Sequence, residues 1–293
     1  MLNLLRSDLY RMTRIRGLRG ELWQYASVLL FISCLEVGLT WFILQSGMGP
    51  AENVNLIKEL ATPSSFLGST MLGSFSVLAL AASFGMVEYT LPDLSEGYVK
   101  SLVSSPRGRA LYLGEKILLA GIWSALMLAL GCIFHLVILK VFLTMPYGFA
   151  IQGPDNPLAF ALWLLGAWLA TWAITVIAMI AVAIFRKKLP VHIFAFAPIS
   201  GLFPLTLSAL AFSSGGMLSF LQPIAPALTS IATWMPSSVL QAFSNGANTM
   251  FDTATTLPLI GAVPGWAWGA VTGVIWILIG SAAYIAISKR RDL

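Results

Sequence analysis

The sequence predicts an all-α integral membrane protein. It should have six transmembrane helices, an N-terminal amphipathic interface helix, and outer re-entrant helices before the last span. Three observations predict this. Of the 293 residues, 58% are hydrophobic and only 10% are charged, with a mean hydropathy of +0.84. A soluble domain carries roughly 25% charged residues, so a water-facing surface cannot be built from this chain. Apolar runs long enough to cross a hydrocarbon core of roughly 30 Å recur along it. The basic residues gather in a few polar breaks between those runs.

The elements follow in order, within a single transmembrane domain covering 1–293. Residues 1–20 read as a surface helix: Leu2, Leu5, Leu9 and Met12 recur at helical spacing, and Arg6, Arg11, Arg14, Arg16 and Arg19 supply charge. An apolar stripe flanked by arginines suits the headgroup layer; a plain basic tail is the simpler alternative. Spans are expected at about 23–45, 65–87, 117–142, 158–185, 191–212 and 266–287. The second is rich in Gly, Ala and Ser, which permits close helix packing. The fourth carries Trp163, Trp168 and Trp172, and the fifth is interrupted by Pro198 and Pro204 with no matching prolines in the second. Region 213–264 is apolar but broken by Gly215-Gly216, Pro223, Pro226, Pro236 and Pro258. Its pieces are too short to cross, so two short helices dipping into the outer leaflet are expected. A further pair of poorly marked spans is the alternative.

Orientation follows from the bases. The N-terminal segment holds five, the loop after the second span four, the break after the fourth span three and the C-terminus three. Only Lys58 and Lys140 of the seventeen fall on the other side. The positive-inside rule therefore puts both termini and the loop 88–116 in the cytoplasm. The net charge of +5 is accounted for by these helix-end bases and gives no nucleic-acid signal. Cys34 and Cys132 lie inside apolar runs and read as small core residues. The N-terminus lacks the compact apolar region of a cleavable signal.

The loop 88–116 is the one polar island. Leu94, Tyr98 and Leu102 step by four on one helix face; Asp93, Glu96 and Lys100 line another, and Glu96 to Lys100 is an acid-to-base pair in the favourable order. Pro106 ends that helix, and a second begins at Arg107 and leads through Lys116 into the third span. An amphipathic helix held at both ends suits either a groove on a partner or the bilayer surface.

The pattern EGYVKSLVSSPRGRALYLGEK resembles the segment between spans two and three of ATP-binding-cassette export permeases of the type-2 class, in Glu96, Gly97, Lys100, Leu102, Pro106, Arg107 and Lys116. The opening LLRSDLYRMTR, the basic ending after Tyr284 and the broken apolar region before the last span are similar to the same family. The resemblance implies a bacterial cytoplasmic-membrane permease, paired with a like or unlike permease in a dimer. The helix between spans two and three would dock a separate soluble ATPase. The coupling residues it implies are Asp93, Leu94, Glu96, Gly97, Tyr98, Lys100, Leu102, Pro106, Arg107, Arg109 and Lys116. The chain has no phosphate-binding Gly-x-x-x-x-Gly-Lys-Ser/Thr loop. No catalytic residue, metal or cofactor is therefore expected in it; ATP and Mg belong to the partner. Beyond that ATPase and the second permease, membrane lipid is the expected partner, and nucleic acid is not.

Within the spans, Glu36 and His135 are the polar residues that stand out. A carboxylate at membrane depth is a functional candidate by default, so the pair marks a candidate translocation path; a helix-packing hydrogen bond is the plainer reading. Two histidines and two cysteines without ligand spacing argue against a metal site. Two other function classes stand beside the exporter: a polytopic membrane enzyme acting on lipid or peptide, and an ion-coupled carrier using Glu36. Small residues and aromatics in spans two and four fit an amphipathic or apolar cargo such as a peptide antibiotic, a drug or a lipid-like molecule.

Overall fold

The computed structural model describes residues 2–14, 20–46, 63–73, 76–95, 106–145, 156–185, 187–213, 219–257 and 261–290. The helices, in chain order, are α1 (Leu2–Thr13), α2 (Glu21–Ser46), α3 (Pro63–Leu72), α4 (Val77–Ser95), α5 (Pro106–Leu139), α6 (Pro157–Phe185), α7 (Lys188–Ile199), α8 (Leu202–Ser213), α9 (Ala225–Thr233), α10 (Pro236–Phe243) and α11 (Gly265–Arg290). A π turn, Lys140–Thr144, ends α5, and two 3₁₀ turns flank the pair α9–α10. Four of the helices begin at a proline. Its fixed φ suits the first turn, and its missing N–H is not needed there.

Among the described residues five helices are long and apolar enough to cross a membrane, and up to six if the bent pair α7–α8 forms one span. α6 lies at the centre, with buried residues on all sides, and packs against α4, α5, α7, α10 and α11. α2 and α11 lie at the periphery, with Phe31, Leu39 and Phe42 of α2 and Leu278 of α11 turned outward.

Several elements differ from the sequence reading. The apolar stripe of α1 does not face outward: Met12 is fully buried, and Leu5 and Leu9 pack against the core of the bundle. The exposed face of α1 is instead Asn3, Arg6, Ser7, Tyr10 and Arg11. The second apolar run is not one helix. It divides between α3 and α4, and Ser76 caps the new start by accepting the Ala79 N–H at 3.1 Å. The break in the fifth run thus does have a counterpart in the second. α4 then continues past Val87 to Ser95, straight through Pro92. A proline in the last turn deprives only the Glu88 carbonyl of its donor, and burial of Asp93 and Leu94 holds the turn in place.

The fifth run bends by 57° between α7 and α8. The corner is Ser200-Gly201, where Gly201 takes φ +66°, a conformation that a residue with a Cβ rarely adopts.

Region 213–264 contains the two short helices α9 and α10, and also a two-stranded antiparallel ribbon, β1 (Thr253–Leu257) with β2 (Gly261–Pro264). The ribbon was not anticipated, although TATTL is a β-branched run. α10 is anchored into the bundle by Phe243, which is 1% exposed and fits between Gly166 of α6 and Gly269 of α11. A Cβ on Gly269 would stand 2.5 Å from the Phe243 ring.

Candidate functional site

The charged residues nearest the loop form a buried network at the base of the bundle, the end where α1 lies. Lys116, fully buried in α5, reaches Asp8 of α1 at 2.5 Å and Asp93 of α4 at 3.0 Å. Arg11 adds a second contact to Asp93 at 3.3 Å and lies 3.7 Å from Asp8. Tyr112 donates to Asp93 at 3.3 Å. The Lys116 ammonium sits 4.4 Å from the centre of the Tyr89 ring, and the Arg11 guanidinium 5.1 Å from it. Glu115 is buried within electrostatic reach of Asp8, Asp93 and Lys116. Buried charges persist only when paired and hydrogen-bonded. Here Lys116 of α5 answers Asp8 of α1 and Asp93 of α4, and Arg11 of α1 answers Asp93, so the three helices are fastened as a unit; both oxygens of Glu115 lack a hydrogen-bond partner among the described residues. Although burial acts against it, the carboxylates of Asp93 and Asp8 and the neighbouring Tyr89 raise the Arg11 guanidinium pKa.

A smaller node sits one turn deeper. Tyr25 of α2 donates to Glu88 Oε2 at 2.9 Å. His192 Nε2 and Lys188 Nζ of α7 lie 3.4 Å and 3.9 Å from Glu88 Oε1. Beside it opens a polar cleft of about 230 Å³, lined by Glu21, Gln24, Glu88, Leu91, Pro92 and Lys188.

Higher in the bundle the polar contacts are interhelical staples. Trp168 and Trp172 of α6 donate their indole N–H to the carbonyls of Gly121 and Ile117 on α5, at 2.8 and 2.9 Å. Trp163 donates to the Phe243 carbonyl at 2.8 Å. The span-four aromatics therefore hold helices together through their indole edges. Ser83, Ser124 and Thr175 place three hydroxyls within 3.5 Å along a seam joining α4, α5 and α6.

Of the coupling residues expected from sequence, Asp93 and Lys116 meet in the buried network, and Leu94 is buried at 9% exposure. They face the interior rather than a docking partner. Glu96, Gly97, Tyr98, Lys100 and Leu102 lie outside the described residues. Pro106, Arg107 and Arg109 fall on the first turn of α5. Glu36 accepts a hydrogen bond from Ser69 of α3 at 3.1 Å. His135 is fully buried in α5, and no hydrogen bond or ion pair joins it to Glu36.

Asp8, Arg11, Tyr89, Tyr112 and Glu115 were missed as site residues. Asp8 left a signal: it lies on the stripe of Leu5, Leu9 and Met12, the one acid on an otherwise apolar face. An acid so placed needs a buried cation.

No family model, curated protein or solved structure matches the chain. The class follows from composition and architecture: a helical protein whose long apolar helices are those of a multi-pass membrane protein.

Proposed function

We propose that the chain is the membrane-spanning subunit of an exporter of the type-2 ATP-binding-cassette class. It would move an amphipathic or apolar substrate across the cytoplasmic membrane of a bacterium, using ATP hydrolysed by a separate soluble subunit. In this reading two permease chains pair, both termini face the cytoplasm, and the loop between α4 and α5 meets the ATPase.

One observation carries the reading. The two stems of that loop are bonded to each other through Asp93 and Lys116 at 3.0 Å, and both are bonded to α1 through Asp8 and Arg11. A loop closed at its base by buried ion pairs cannot move without moving both spans that emerge from it. Force applied to residues 96–105 would thus reach α4, α5 and α1 together, as coupling to an external motor requires. The fifteen bases assigned to one side support the orientation.

The test is purification of the full chain from its own membranes, with and without a Gly-Pro insertion between Gly97 and Tyr98. The reading expects a soluble ATPase to accompany the intact chain and to be lost with the insertion. An unchanged complex after the insertion, or substrate export with no ATPase present, overturns it.

A further inference from the structure

Away from the base, α2, α3 and α5 meet at a second polar place. His135 is completely buried, and neither ring nitrogen has a hydrogen-bond partner. Glu36 Oε2 is likewise buried and unpartnered, while Oε1 takes the Ser69 hydroxyl. Glu36 adjoins Val37 in sequence and His135 lies one turn before Ile138, so both residues flank the contact of Val37 with Ile138 and Leu139. α2 and α5 rise from the same end of the bundle, and Val37 packs against Ile138 and Leu139 in a small cluster with Phe66 of α3. His135 also faces this junction. Gly131, one turn before it, lies against Met71 of α3, and Ile138, one turn after it, lies against α2; positions i, i+4 and i+7 share a helix face.

A buried polar atom left without a hydrogen bond is costly, and here three atoms bear that cost. The deficit has a sign. Glu36 Oε2 is an acceptor, and a neutral imidazole offers one acceptor and one donor. Ser69, which holds Glu36, lies in the last turn of α3. That helix end carries the partial negative charge of the dipole, and α3 ends where the second apolar run is broken. Half-helix ends at a break in a span are recurrent cation sites in membrane proteins. The junction therefore has surplus acceptors and negative potential, and lacks a donor bearing positive charge. Ser69 is exposed, so the junction opens outward at that point. Beside these acceptors lies the apolar cluster of Val37, Ile138, Leu139 and Phe66, which suits a cation that carries an alkyl chain.

We propose that the α2–α3–α5 junction binds an alkylammonium group, with the Glu36 carboxylate and the His135 imidazole accepting its N–H donors and the apolar cluster beside them taking the adjoining chain. As a statement about cargo this rests on the exporter reading; as a statement about binding it does not, and it is tested without the ATPase. The chain has only two histidines, so a His192→Gln variant of the full chain, ¹³C-labelled at histidine and held in phosphatidylcholine nanodiscs, gives a single imidazole signal from His135. Octylammonium should shift that signal saturably. Octan-1-ol, with the same tail and no charge, should leave it in place, and Glu36→Gln should weaken the octylammonium response at least tenfold. No shift with octylammonium, an equal shift with octan-1-ol, or an undiminished response in Glu36→Gln overturns the proposal. The comparison of the two probes on the chain with Glu36 intact decides the matter even if Glu36→Gln does not accumulate. ATPase co-purification bears on the exporter reading alone, so the two can fail separately.

Discussion

Replacing Lys116 by Met removes one buried cation and strands two buried carboxylates. Asp8 and Asp93 are 7% and 3% exposed, and Lys116 lies 2.5 Å and 3.0 Å from them. Breaking a buried ion pair from one side costs about 3–5 kcal/mol, because the remaining charge stays desolvated. Two acids are left here, which argues for the upper end. Arg11 argues for the lower end: it already touches Asp93 at 3.3 Å, but its side chain is 42% exposed and its contribution is screened accordingly. The expected loss is therefore about 4 kcal/mol, roughly three decades in the folding equilibrium constant. Reversible unfolding of the purified chain in mixed micelles measures it. The reasoning makes a second, sharper claim: the cost is that of stranded charge, not of a lost contact. A triple variant, Asp8→Asn, Asp93→Asn and Lys116→Met, should recover at least half of the loss, since neutral groups carry a smaller desolvation penalty. A Lys116→Met variant as stable as the parent, or a triple variant no better than the single one, refutes the account of the network.

The Phe243 anchor predicts that Gly269→Val destabilises by about 1–3 kcal/mol through overpacking, because its Cβ would meet the ring at 2.5 Å; Phe243→Leu in the same chain should return part of that loss in the same unfolding assay. Trp172→Phe leaves the Ile117 carbonyl without its 2.9 Å donor and should cost about 1 kcal/mol, read as a lower apparent Tm. At Glu88, Gln keeps an acceptor for Tyr25 and loses only the attraction of a 77%-exposed Lys188 and of His192. Glu88→Gln should thus change stability by less than about 1 kcal/mol, and a loss comparable to that of Lys116→Met would show that this node, too, is a buried charge pair.

Much of the bundle was legible in the sequence because its signal is length and hydropathy. The runs that became α2, α5, α6 and α11 are long and uninterrupted, and the backbone in such a run has no partner but itself. Pro198 and Pro204 marked the bend in the fifth run for the same reason. What was not legible depends on tertiary context. The break between α3 and α4 carries no proline; a serine cap made it, and Ser76 looks like any small residue in a small-residue run. The apolar run ends the second span at Val87, yet α4 continues through Pro92 to Ser95 because Asp93 is held by Lys116 and Arg11 from other helices. The stripe on α1 has the same pattern whether it meets lipid or protein. Asp8, the acid on that stripe, was the local clue that it meets protein. Asp93 and Lys116 were singled out as polar loop residues; that they pair with each other, 23 positions apart in sequence, follows only from the helices that bring them together.

The central claim is that the loop between α4 and α5 contacts a soluble motor, and a photo-crosslinking residue at Tyr98 tests it most directly. In native membranes, mass spectrometry of the adduct should identify a soluble protein with an ATP-binding loop, and the yield should change when ATP is exchanged for ADP. Crosslinking to lipid alone, with no protein adduct in either nucleotide state, would make the loop a bilayer-surface segment and contradict the claim.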